Sequence, residues 1–381
     1  MTKWKLPSIW TTKNSESIDS VVRLGYDWGS RCMLTLCEVS LLYPYPLILM
    51  ASKTFSYFCV GFLVSLFLGT QAFSQSPKVE FKQSDDENGR VIRCVVDDKP
   101  LFTYRDSPAS FEDLKENEYK TYISELYTPD GRNILRDSPA DHVHHHALMF
   151  AIAADGVNFW EEYGKDKSGV QFAPVFNRTA PQPPQNAPPV LWKRVQWFAP
   201  GQKLVLNERR IIRPILDKEL GATLITWRTG LSVPQEKESV ELSGSHYYGL
   251  GMRFDETMDK NGTFFCDAGS AIADDNVRGD EKKTTCKWMA YTAELHGKPV
   301  TVAVFDSPDN PQPMGAFTMG QAGQSFAYIS ATVDLEKEPI TLEKDKPISF
   351  EYGVATWEGK QSVDAVQKVY ERWLASRRSR R

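Results

Sequence analysis

The sequence predicts an all-β protein, built as a large antiparallel β-sandwich with one amphipathic helix at the C-terminus. Three observations indicate this fold. Short runs rich in Val, Ile, Thr, Tyr, Phe and Trp recur along the chain, and clusters of Gly, Pro, Asn and Asp separate them, as expected for strands joined by turns. The runs are not interleaved with helical periods, which argues against alternating strands and helices. Only the end of the chain repeats its apolar residues with the helical period.

Each predicted strand is a run of β-branched and aromatic residues bounded by turn-forming residues. In chain order these strands are Val91–Val96, Lys120–Tyr127, His146–Ala153, Leu191–Phe198, Lys203–Ile212, Ala222–Val233, Tyr247–Phe254, Cys286–Leu295, Val300–Phe305, Ser325–Val333 and Ile348–Thr356. The predicted helix spans Gln361–Ser376, because an apolar stripe recurs at intervals of three and four positions, made of Val363, Val366, Tyr370, Trp373 and Leu374. We interpret the arginines from Arg377 to Arg381 as a solvated tail.

An apolar region near the N-terminus has the features of a secretory signal peptide. It begins at Met50 and contains the charged Lys53, the apolar stretch Tyr57–Leu68 and the small-x-small cleavage motif Ala72-Phe73-Ser74. A signal anchor or an internal apolar segment is the alternative interpretation. Export signals act at the extreme N-terminus, so we expect translation to start at Met50.

This interpretation sets the expected domain organisation. Residues 1–49 are an upstream extension that is not translated, and residues 50–74 are the signal peptide. Residues 75–360 form a single β-sandwich domain, and residues 361–381 form the helix and the basic tail. The mature protein is expected to be exported, to the periplasm or to the medium.

Composition restricts the classes of partner. The chain has 45 Lys and Arg against 49 Asp and Glu, a net charge of −4, and no long basic block. Binding to nucleic acid depends on clustered positive charge, so this class is not expected. A membrane span needs about 20 consecutive apolar residues, and only the signal region approaches that length. We therefore expect no span in the mature chain, and a carbohydrate or another small molecule as the partner.

Two further features lie outside the strand pattern. The proline-rich segment Pro174–Pro189 cannot supply ladder N–H groups, so we expect a semi-rigid loop, either a surface connector or a cover over a site. Three cysteines belong to the mature chain. In an oxidising compartment Cys266 and Cys286 are expected to form a disulfide, and Cys94 is expected to be a buried strand residue.

The strongest chemical signal is a histidine cluster, Asp141-His142-Val143-His144-His145-His146, which holds four of the six histidines of the chain. Imidazole titrates near neutral pH, so it serves as a general acid or base, and it is also the commonest metal ligand. In an extended segment, His142, His144 and His146 would face one side and His145 the other. His142 and His144 could then hold one divalent metal, with Asp141 as a third ligand or as an orienting group. A structural role at a strand start is the alternative.

Other polar and aromatic residues are candidates for the same site. Glu161 follows Trp160, which offers stacking surface for a sugar ring. Arg253 is a lone charge in an apolar strand, shortly after Gly249 and Gly251, so we expect it to face a polar cavity, although an edge-strand arginine in water is the alternative. Asp306 and Asn310 occur together in a proline-containing turn segment.

Four segments in this order, DHVHHHALMF, DGVNFW, GLGMR and DSPDNPQP, resemble motifs of the bacterial PmoA-like family, which is catalogued as methane oxygenase PmoA. The resemblance covers about residues 120–358. It implies an exported β-sandwich protein similar to the galactose mutarotase supersandwich. By position, the residues that match the family pattern are Asp141, His142, His144, His145, Arg253, Asp306 and Asn310.

The chain departs from that family pattern at several positions. Val143 stands where the motif has proline, His146 where it has arginine, Ala147 where it has glycine and Ser307 where it has histidine. If the family's arginine and histidine bind a substrate anion or donate a proton, this chain either does so differently or has lost that function. The methane-oxygenase label also conflicts with a mature chain that has no spanning segment.

Three functions stay open at this point. The first is a sugar-modifying enzyme, an epimerase, lyase or hydrolase. In it, His142, His144 or His145 is the acid or base, Asp306 or Glu161 orients it, and Arg253 steadies negative charge. His146, Asp141, Trp160 and Asn310 would contribute to substrate binding. The second is a noncatalytic carbohydrate-binding protein that uses the same cleft. The third is a metal-dependent oxidoreductase or hydrolase built on His142 and His144.

Overall fold

The computed structural model describes residues 77–378, except 88, 116–117, 165, 175–188, 271–274 and 321–325. The expected extension and signal peptide, most of the segment Pro174–Pro189 and the end of the arginine tail lie outside the described residues. Export, the start at Met50 and the domain boundaries therefore stay predictions.

Two large antiparallel sheets form the layers of a sandwich, which confirms the predicted fold class. Strands are numbered here in chain order. The first sheet has ten strands, which in spatial order are β1 (Val79–Asp86), β2 (Gly89–Val96), β3 (Lys99–Arg105), β4 (Tyr122–Leu126), β5 (Leu148–Ala151), β13 (Gly249–Arg253), β21 (Tyr328–Thr332), β20 (Gly315–Met319), β17 (Glu281–Thr285) and β16 (Asp275–Arg278).

The second sheet has nine strands and a smaller sheet has four. In spatial order the second sheet contains β15 (Gly269–Ser270), β14 (Thr263–Cys266), β18 (Trp288–Leu295), β19 (Lys298–Asp306), β23 (Ile348–Glu358), β11 (Thr223–Ser232), β10 (Lys203–Pro214), β9 (Leu191–Ala199) and β8 (Val170–Phe172). The small sheet contains β22 (Ile340–Glu343), β12 (Ser239–Ser243), β6 (Ala153–Ala154) and β7 (Val157–Asn158). Short 3-10 turns occur at Phe111–Asp113, Pro200–Gln202, Lys218–Leu220 and Glu256–Met258.

The apolar face of each large sheet packs on the other, and the resulting core draws residues from both layers. Phe150 of β5, for example, packs against Trp197 of β9 and Phe350 of β23, with ring centroids 6.4 and 5.8 Å apart. The alternation of buried and exposed positions along β9 and β10 leaves polar residues on the outer face.

The C-terminal helix α1 (Val363–Arg378) confirms the predicted helix. The Ser362 hydroxyl caps it by accepting a hydrogen bond from the N–H of Ala365 at 3.2 Å. Its apolar stripe, including Val366, Tyr370 and Trp373, is buried on the outer face of the second sheet against β18, β19 and β23.

Each of the eleven predicted strands overlaps an observed strand, with one informative difference in the histidine segment. The predicted strand His146–Ala153 begins only at Leu148, because the residues before it form turns. Strands that are short or mostly polar, such as β1, β16 and β22, were not predicted. Their pairing with neighbouring strands holds them in place, and a single-strand pattern does not contain that information.

A fully buried ion pair lies between the two sheets. Glu208 accepts hydrogen bonds from Arg210 Nε at 2.7 Å, from Trp197 Nε1 at 2.8 Å and from Thr229 Oγ1 at 3.0 Å. Arg210 also donates to the Gln171 side chain at 3.0 Å. Burial alone would lower the pKa of Arg210, but the Glu208 carboxylate outweighs that effect and raises it. The pair is therefore charged within the core.

Two further findings concern the cysteines and the membrane. Cys94, Cys266 and Cys286 form no disulfide with one another, so the expected Cys266–Cys286 bond is wrong for this structure. The two thiols instead interact by a hydrogen bond, which raises the pKa of Cys286. Cys94 is buried in β2, as expected. In the described part of the chain, helices do not reach the length and apolar character that crossing a bilayer requires.

Candidate functional site

A cleft of about 250 Å³ lies on the outer face of the ten-stranded sheet, over β17, β20 and β21. Arg253 of β13 is directly opposite Tyr328 of β21, and opposed side chains of a ladder share one face of the sheet. The cleft is lined by His142, His144, His145, Glu161, Tyr163, Tyr247, Arg278, Glu281, Phe317, Met319, Phe326 and Tyr328. It therefore brings together four of the residues that the sequence singled out, three histidines and Glu161.

The histidine segment is a turn that precedes β5. The N–H of His142 donates to the carbonyl of Pro139 and the N–H of His145 donates to the carbonyl of His142, both at 2.9 Å. Ala147 follows with φ of 37°, which ends the turn. The predicted strand alternation of these side chains is therefore wrong. His142, His144 and His145 line one cleft, and the buried His146 lies outside it.

The three cleft histidines pack on one another and on aromatic walls. His142 stacks on His145, with ring centroids 4.6 Å apart and planes at 19°. His144 meets His145 edge-on at 4.7 Å. Phe326 and Tyr328 contact His145 at 5.6 and 4.9 Å. These contacts hold the rings in fixed positions at the cleft, as a catalytic or binding site requires.

A carboxylate orients the ring of His142. His142 Nδ1 donates a hydrogen bond to Asp141 Oδ2 at 3.2 Å, and Arg253 Nη2 donates to the same oxygen at 3.0 Å. Arg253 itself is buried, with its guanidinium 3.6 Å above the ring centroid of Phe326. Burial alone would raise the pKa of Asp141, but the contacts with His142 and Arg253 outweigh it and lower that pKa. An ionised Asp141 leaves Nε2 of His142 as the acceptor.

The other two rings are neutral. Burial lowers the pKa of His144 to about 4, and nearby Lys120 adds to the effect. Burial lowers the pKa of His145 even further, and its Nδ1 atom has no hydrogen-bond partner in the described structure. At neutral pH both rings therefore offer one acceptor nitrogen and one donor N–H each.

Glu161 is held in the cleft wall by several donors. Tyr247 donates its hydroxyl to Oε1 at 2.8 Å, Tyr248 donates to Oε2 at 2.5 Å, and the Asn158 side chain also donates to Oε2. Burial alone would raise the pKa of Glu161, but these donors outweigh it and lower that pKa. Trp160 beside it is fully buried and stacks on Tyr248 at 5.2 Å, so it supports the wall and is not an open stacking platform.

The cleft floor depends on a glycine. Tyr328 is buried with its hydroxyl unpartnered among the described residues, and it lies against Gly251 of β13. A Cβ atom at position 251 would be 1.9 Å from the Tyr328 hydroxyl oxygen and 2.9 Å from the ring of Trp160. Only glycine leaves room for both rings at this point.

Replacing Gly251 with Ala is therefore expected to lower the free energy of unfolding by about 1–3 kcal/mol, because the added methyl overpacks the floor. Urea denaturation measures this change. Gly230→Ala is the matched control, since a Cβ atom there meets its nearest neighbour, Ser349 Oγ, at an ordinary 3.4 Å. Equal losses in the two variants would contradict the prediction.

His146 belongs to a buried network behind the cleft. Its Nε2 donates to Glu162 Oε1 at 3.0 Å, and its Nδ1 donates to Asp137 Oδ1 at 3.0 Å. Lys120 Nζ lies 2.6 Å from Glu162 Oε1. Burial alone would lower the pKa of His146, but Glu162 and Asp137 outweigh it and raise that pKa. A ring with both nitrogens bonded to carboxylates is a structural cation, so a substrate-binding role for His146 has no support in its position.

This network predicts an acid-sensitive stability. Burial alone would raise the pKa of Glu162, but Lys120 and His146 hold it at about 2. The carboxylate therefore stabilises the fold above its unfolded pKa of about 4.3, and this contribution is lost as pH falls toward 2. Since one pKa unit corresponds to about 1.4 kcal/mol, we expect a loss of about 2–3 kcal/mol as pH falls to 2.

Chemical denaturation as a function of pH tests the network. Glu162→Gln should flatten the stability curve between about pH 4.3 and pH 2. Glu294→Gln, on an exposed position of β18, is the control and should keep the wild-type slope. A wild-type slope in Glu162→Gln would show that other carboxylates cause the acid loss.

The structure places Asp306 and Asn310 outside the cleft. Asp306 Oδ1 accepts from Asn310 Nδ2 at 2.8 Å and Oδ2 accepts from the N–H of Met314 at 3.0 Å. Asn310 exchanges two hydrogen bonds with the backbone of Glu351 in β23. Burial raises the pKa of Asp306 to about 6. These hydrogen bonds attach the turn after β19 to β23 of the second sheet, so Asp306 and Asn310 have a structural role.

A protein-family model matches residues 92–371, which is most of the chain. Its description is a family of unknown function, DUF6807. The chain belongs to the DUF6807 family. The match includes the cleft, the buried network and all but the end of α1. It carries no methane-oxygenase description, so it does not support the PmoA name that the motifs suggested.

Solved structures similar to this DUF6807 member include three proteins from bacteria, at 8–10% identity. A candidate aldose 1-epimerase from Escherichia coli K12 aligns over 74% of this chain and 100% of its own, with a TM-score of 0.32 and 8% identity. The Slr1438 protein of Synechocystis sp. PCC 6803 aligns over 75% and 98%, with a TM-score of 0.31 and 10% identity.

The third protein is the GH36 alpha-galactosidase of Geobacillus stearothermophilus, aligned over 74% of this chain with a TM-score of 0.34 and 9% identity. The DUF6807 chain spans about two fifths (41%) of that enzyme. Curated proteins give no match to the sequence. The fold assignment above rests on the observed sheets.

The donor set of the DUF6807 cleft does not fit a metal ion. Within the described residues, His, Cys, Asp and Glu side chains nowhere form a group of three or more that could hold one. The rings of His142 and His144 are 5.8 Å apart at an angle of 68°, and Asp141 is engaged by Arg253. The sequence expectation of a metal on His142 and His144 therefore lacks a third ligand.

Sequence reasoning missed several residues of this site in the DUF6807 chain. Tyr247, Tyr328, Phe326 and Lys120 were predicted only as strand residues. A Tyr-Tyr pair before a Gly-x-Gly strand is the one available signal, because closely spaced glycines indicate that large side chains approach the backbone. The partners of Lys120 and Glu162 are distant in the chain, so the network carried no local signal.

Proposed function

We propose that this protein is an exported carbohydrate-active enzyme that modifies a small sugar by histidine acid–base chemistry. The observation that carries the proposal is the Asp141–His142 pair at the cleft, in which Arg253 holds the carboxylate at 3.0 Å. A carboxylate on Nδ1 fixes the tautomer of an imidazole and leaves Nε2 to accept a proton.

Each cleft residue has a distinct task in this proposal. Nε2 of His142 accepts a proton from the bound sugar. His144 is neutral at neutral pH, so it donates or accepts a hydrogen bond and does not repel the cation formed on His142. Arg253 is buried and acts through Asp141, so it is a positioning residue and does not itself meet negative charge on the substrate.

The size and lining of the cleft favour a ligand of one or two sugar rings. A volume of about 250 Å³ is near the lower end of small-molecule sites. Phe317 and Phe326 offer apolar surface to the C–H face of a sugar, and the imidazole rings of His142 and His144 offer polar contacts. Mixed aromatic and polar linings of this kind suit polyols.

A noncatalytic carbohydrate-binding function is the alternative, and the state of Glu161 favours it. Two tyrosine hydroxyls and an amide already engage both carboxylate oxygens, so Glu161 is not available as a second acid–base group. A protein that only binds a sugar needs no second acid–base group.

Proton NMR of the exported chain with a panel of monosaccharides and disaccharides tests the proposal. We expect shifts of the His142 and His144 ring signals, together with a new anomer, a new reducing end or exchange of a sugar proton for deuterium. His296→Asn, an exposed histidine with φ of 50° on a turn, is the control variant. Ring shifts without any change to the sugar would favour the binding alternative, and no ring shifts with any sugar would overturn both.

A further inference from the structure

Glu281 is a second carboxylate in the wall of the histidine cleft, which it lines together with Glu161. It begins β17, and the register of that strand places it on the cleft face. Lys283, two positions further on, is directly opposite Phe317 of β20, which also lines the cleft. Side chains two positions apart in a strand share one face of the sheet. Glu281 is only 5% exposed, so its charge lies within the wall.

The two oxygens of this carboxylate differ in their partners. Oε1 accepts a hydrogen bond from Nη2 of the exposed Arg278 at 2.7 Å. Oε2 is buried and has no hydrogen-bond partner among the described residues. Burying a carboxylate oxygen without a donor costs free energy, because the oxygen loses its hydrogen bonds to water. A bound group that donates to Oε2 would remove this cost.

His246 adds a second acceptor beside Glu281. Its Nδ1 lies 3.3 Å from Ser245 Oγ and 3.7 Å from Glu336 Oε2. With its proton on Nδ1, the neutral ring faces these oxygens with a donor, and Nε2 is an acceptor. Nε2 is buried 3.4 Å from Glu281 Oε2, and it likewise has no hydrogen-bond partner in the described part of the chain. Two buried acceptors therefore lie side by side.

The charge of the cleft wall favours a cationic group. Among the described lining residues, Glu161 and Glu281 carry carboxylates and Arg278 is the one arginine or lysine. The Arg278 side chain is 82% exposed, so solvent screens its charge. The donors to Glu161 are two hydroxyls and an amide, which leave its negative charge in place. The rings of His144 and His145 are neutral at neutral pH and do not offset the carboxylates.

We propose that the cleft recognises an amino sugar, whose ammonium group donates hydrogen bonds to Glu281 Oε2 and His246 Nε2. An ammonium group has three N–H donors and a positive charge, so it satisfies both acceptors and offsets the carboxylate. A sugar hydroxyl has one donor and satisfies only one of the two. This inference rests on the proposed function, because it takes the ligand of the cleft to be a sugar, and it names the class of that sugar.

Calorimetric titration of the exported chain at about pH 6, below the ordinary pKa of an amine, tests this inference. The ligands are glucosamine, galactosamine and mannosamine, each compared with its parent sugar and its N-acetyl derivative. At least one amino sugar should bind about tenfold more tightly than both of its neutral counterparts, because a charge-assisted hydrogen bond is stronger than a neutral one. Acetylation removes the charge and keeps the ring, so this comparison needs no variant protein.

Glu281→Gln keeps the size of the side chain and removes its charge. In this variant the amino sugar should bind within about twofold of its parent sugar, because the carboxylate that pairs with the ammonium group is lost. Glu294→Gln is the matched control. It makes the same change of charge at an exposed position of β18, in the other large sheet, and should keep the preference of the wild type.

Two results would overturn the inference and leave the proposed function in place. These are conversion of a neutral sugar with equal affinity for its amino form, and a full preference for the amino sugar in Glu281→Gln. An amino sugar that binds with the expected preference but is never altered would support the inference and exclude the enzymatic function. Absence of binding by every sugar in the panel would overturn both.

Discussion

Under the proposed function, replacing His142 with Ala is expected to lower turnover of the sugar by about 10²- to 10⁴-fold, because the variant loses the proposed proton acceptor. The expectation follows from the hydrogen bond of its Nδ1 to Asp141, which leaves Nε2 as the acceptor nitrogen. Asp141→Asn should lower kcat with a smaller effect on KM, since it disturbs orientation and leaves the contact surface in place.

The dependence of kcat/KM on pH gives an independent check. His144 has a pKa of about 4 and is neutral above it, so activity should fall as pH decreases toward 4 and the ring becomes charged. His144→Gln should lose the part of this fall that is centred near pH 4. The control variant His296→Asn, at an exposed position, should keep both the wild-type rate and the fall in activity toward pH 4. Turnover within twofold of wild type in His142→Ala would exclude His142 as the base.

The second large effect is expected in the core. Glu208→Ala should lower the free energy of unfolding by about 3–5 kcal/mol, because it leaves the fully buried Arg210 charge without its carboxylate. Trp197 and Thr229 would lose their acceptor as well. Equilibrium denaturation with urea measures the change.

A double variant keeps this prediction testable if the single variant fails to fold. Glu208→Met combined with Arg210→Met removes both charges, and we expect it to be more stable than Glu208→Ala alone. Glu294→Ala, on the exposed side of β18, controls for loss of an acidic residue. A loss below about 1 kcal/mol in Glu208→Ala would show that water or another group compensates the arginine.

Much of the fold could be predicted from local patterns. The alternation in β9, β10 and β11 and the apolar stripe of α1 are properties of short stretches, and periodicity reports them directly. The short strands at the sheet edges were missed, because pairing with a neighbour holds them and their own composition does not.

The candidate site, too, could be predicted only in part from local patterns. The sequence by itself determined that histidines dominate the polar chemistry, since four of them adjoin in one segment. It did not determine their arrangement. The structure has a turn at His142–His145 where an extended segment was expected, and this turn places three imidazole rings at one cleft. Backbone hydrogen bonds across the turn fix the arrangement of these rings, and the alternation of side chains along a strand cannot predict it.

The tertiary structure alone decided which groups are partners. It moved Asp306 and Asn310 to the second sheet, brought Tyr247 to Glu161 and placed Arg253 on Asp141, 112 positions earlier in the chain. It also left Cys266 and Cys286 as thiols. The physical reason is common to all of these contacts. Alternation and composition are local quantities, whereas charge pairing and burial depend on which distant strands the hydrophobic core brings together.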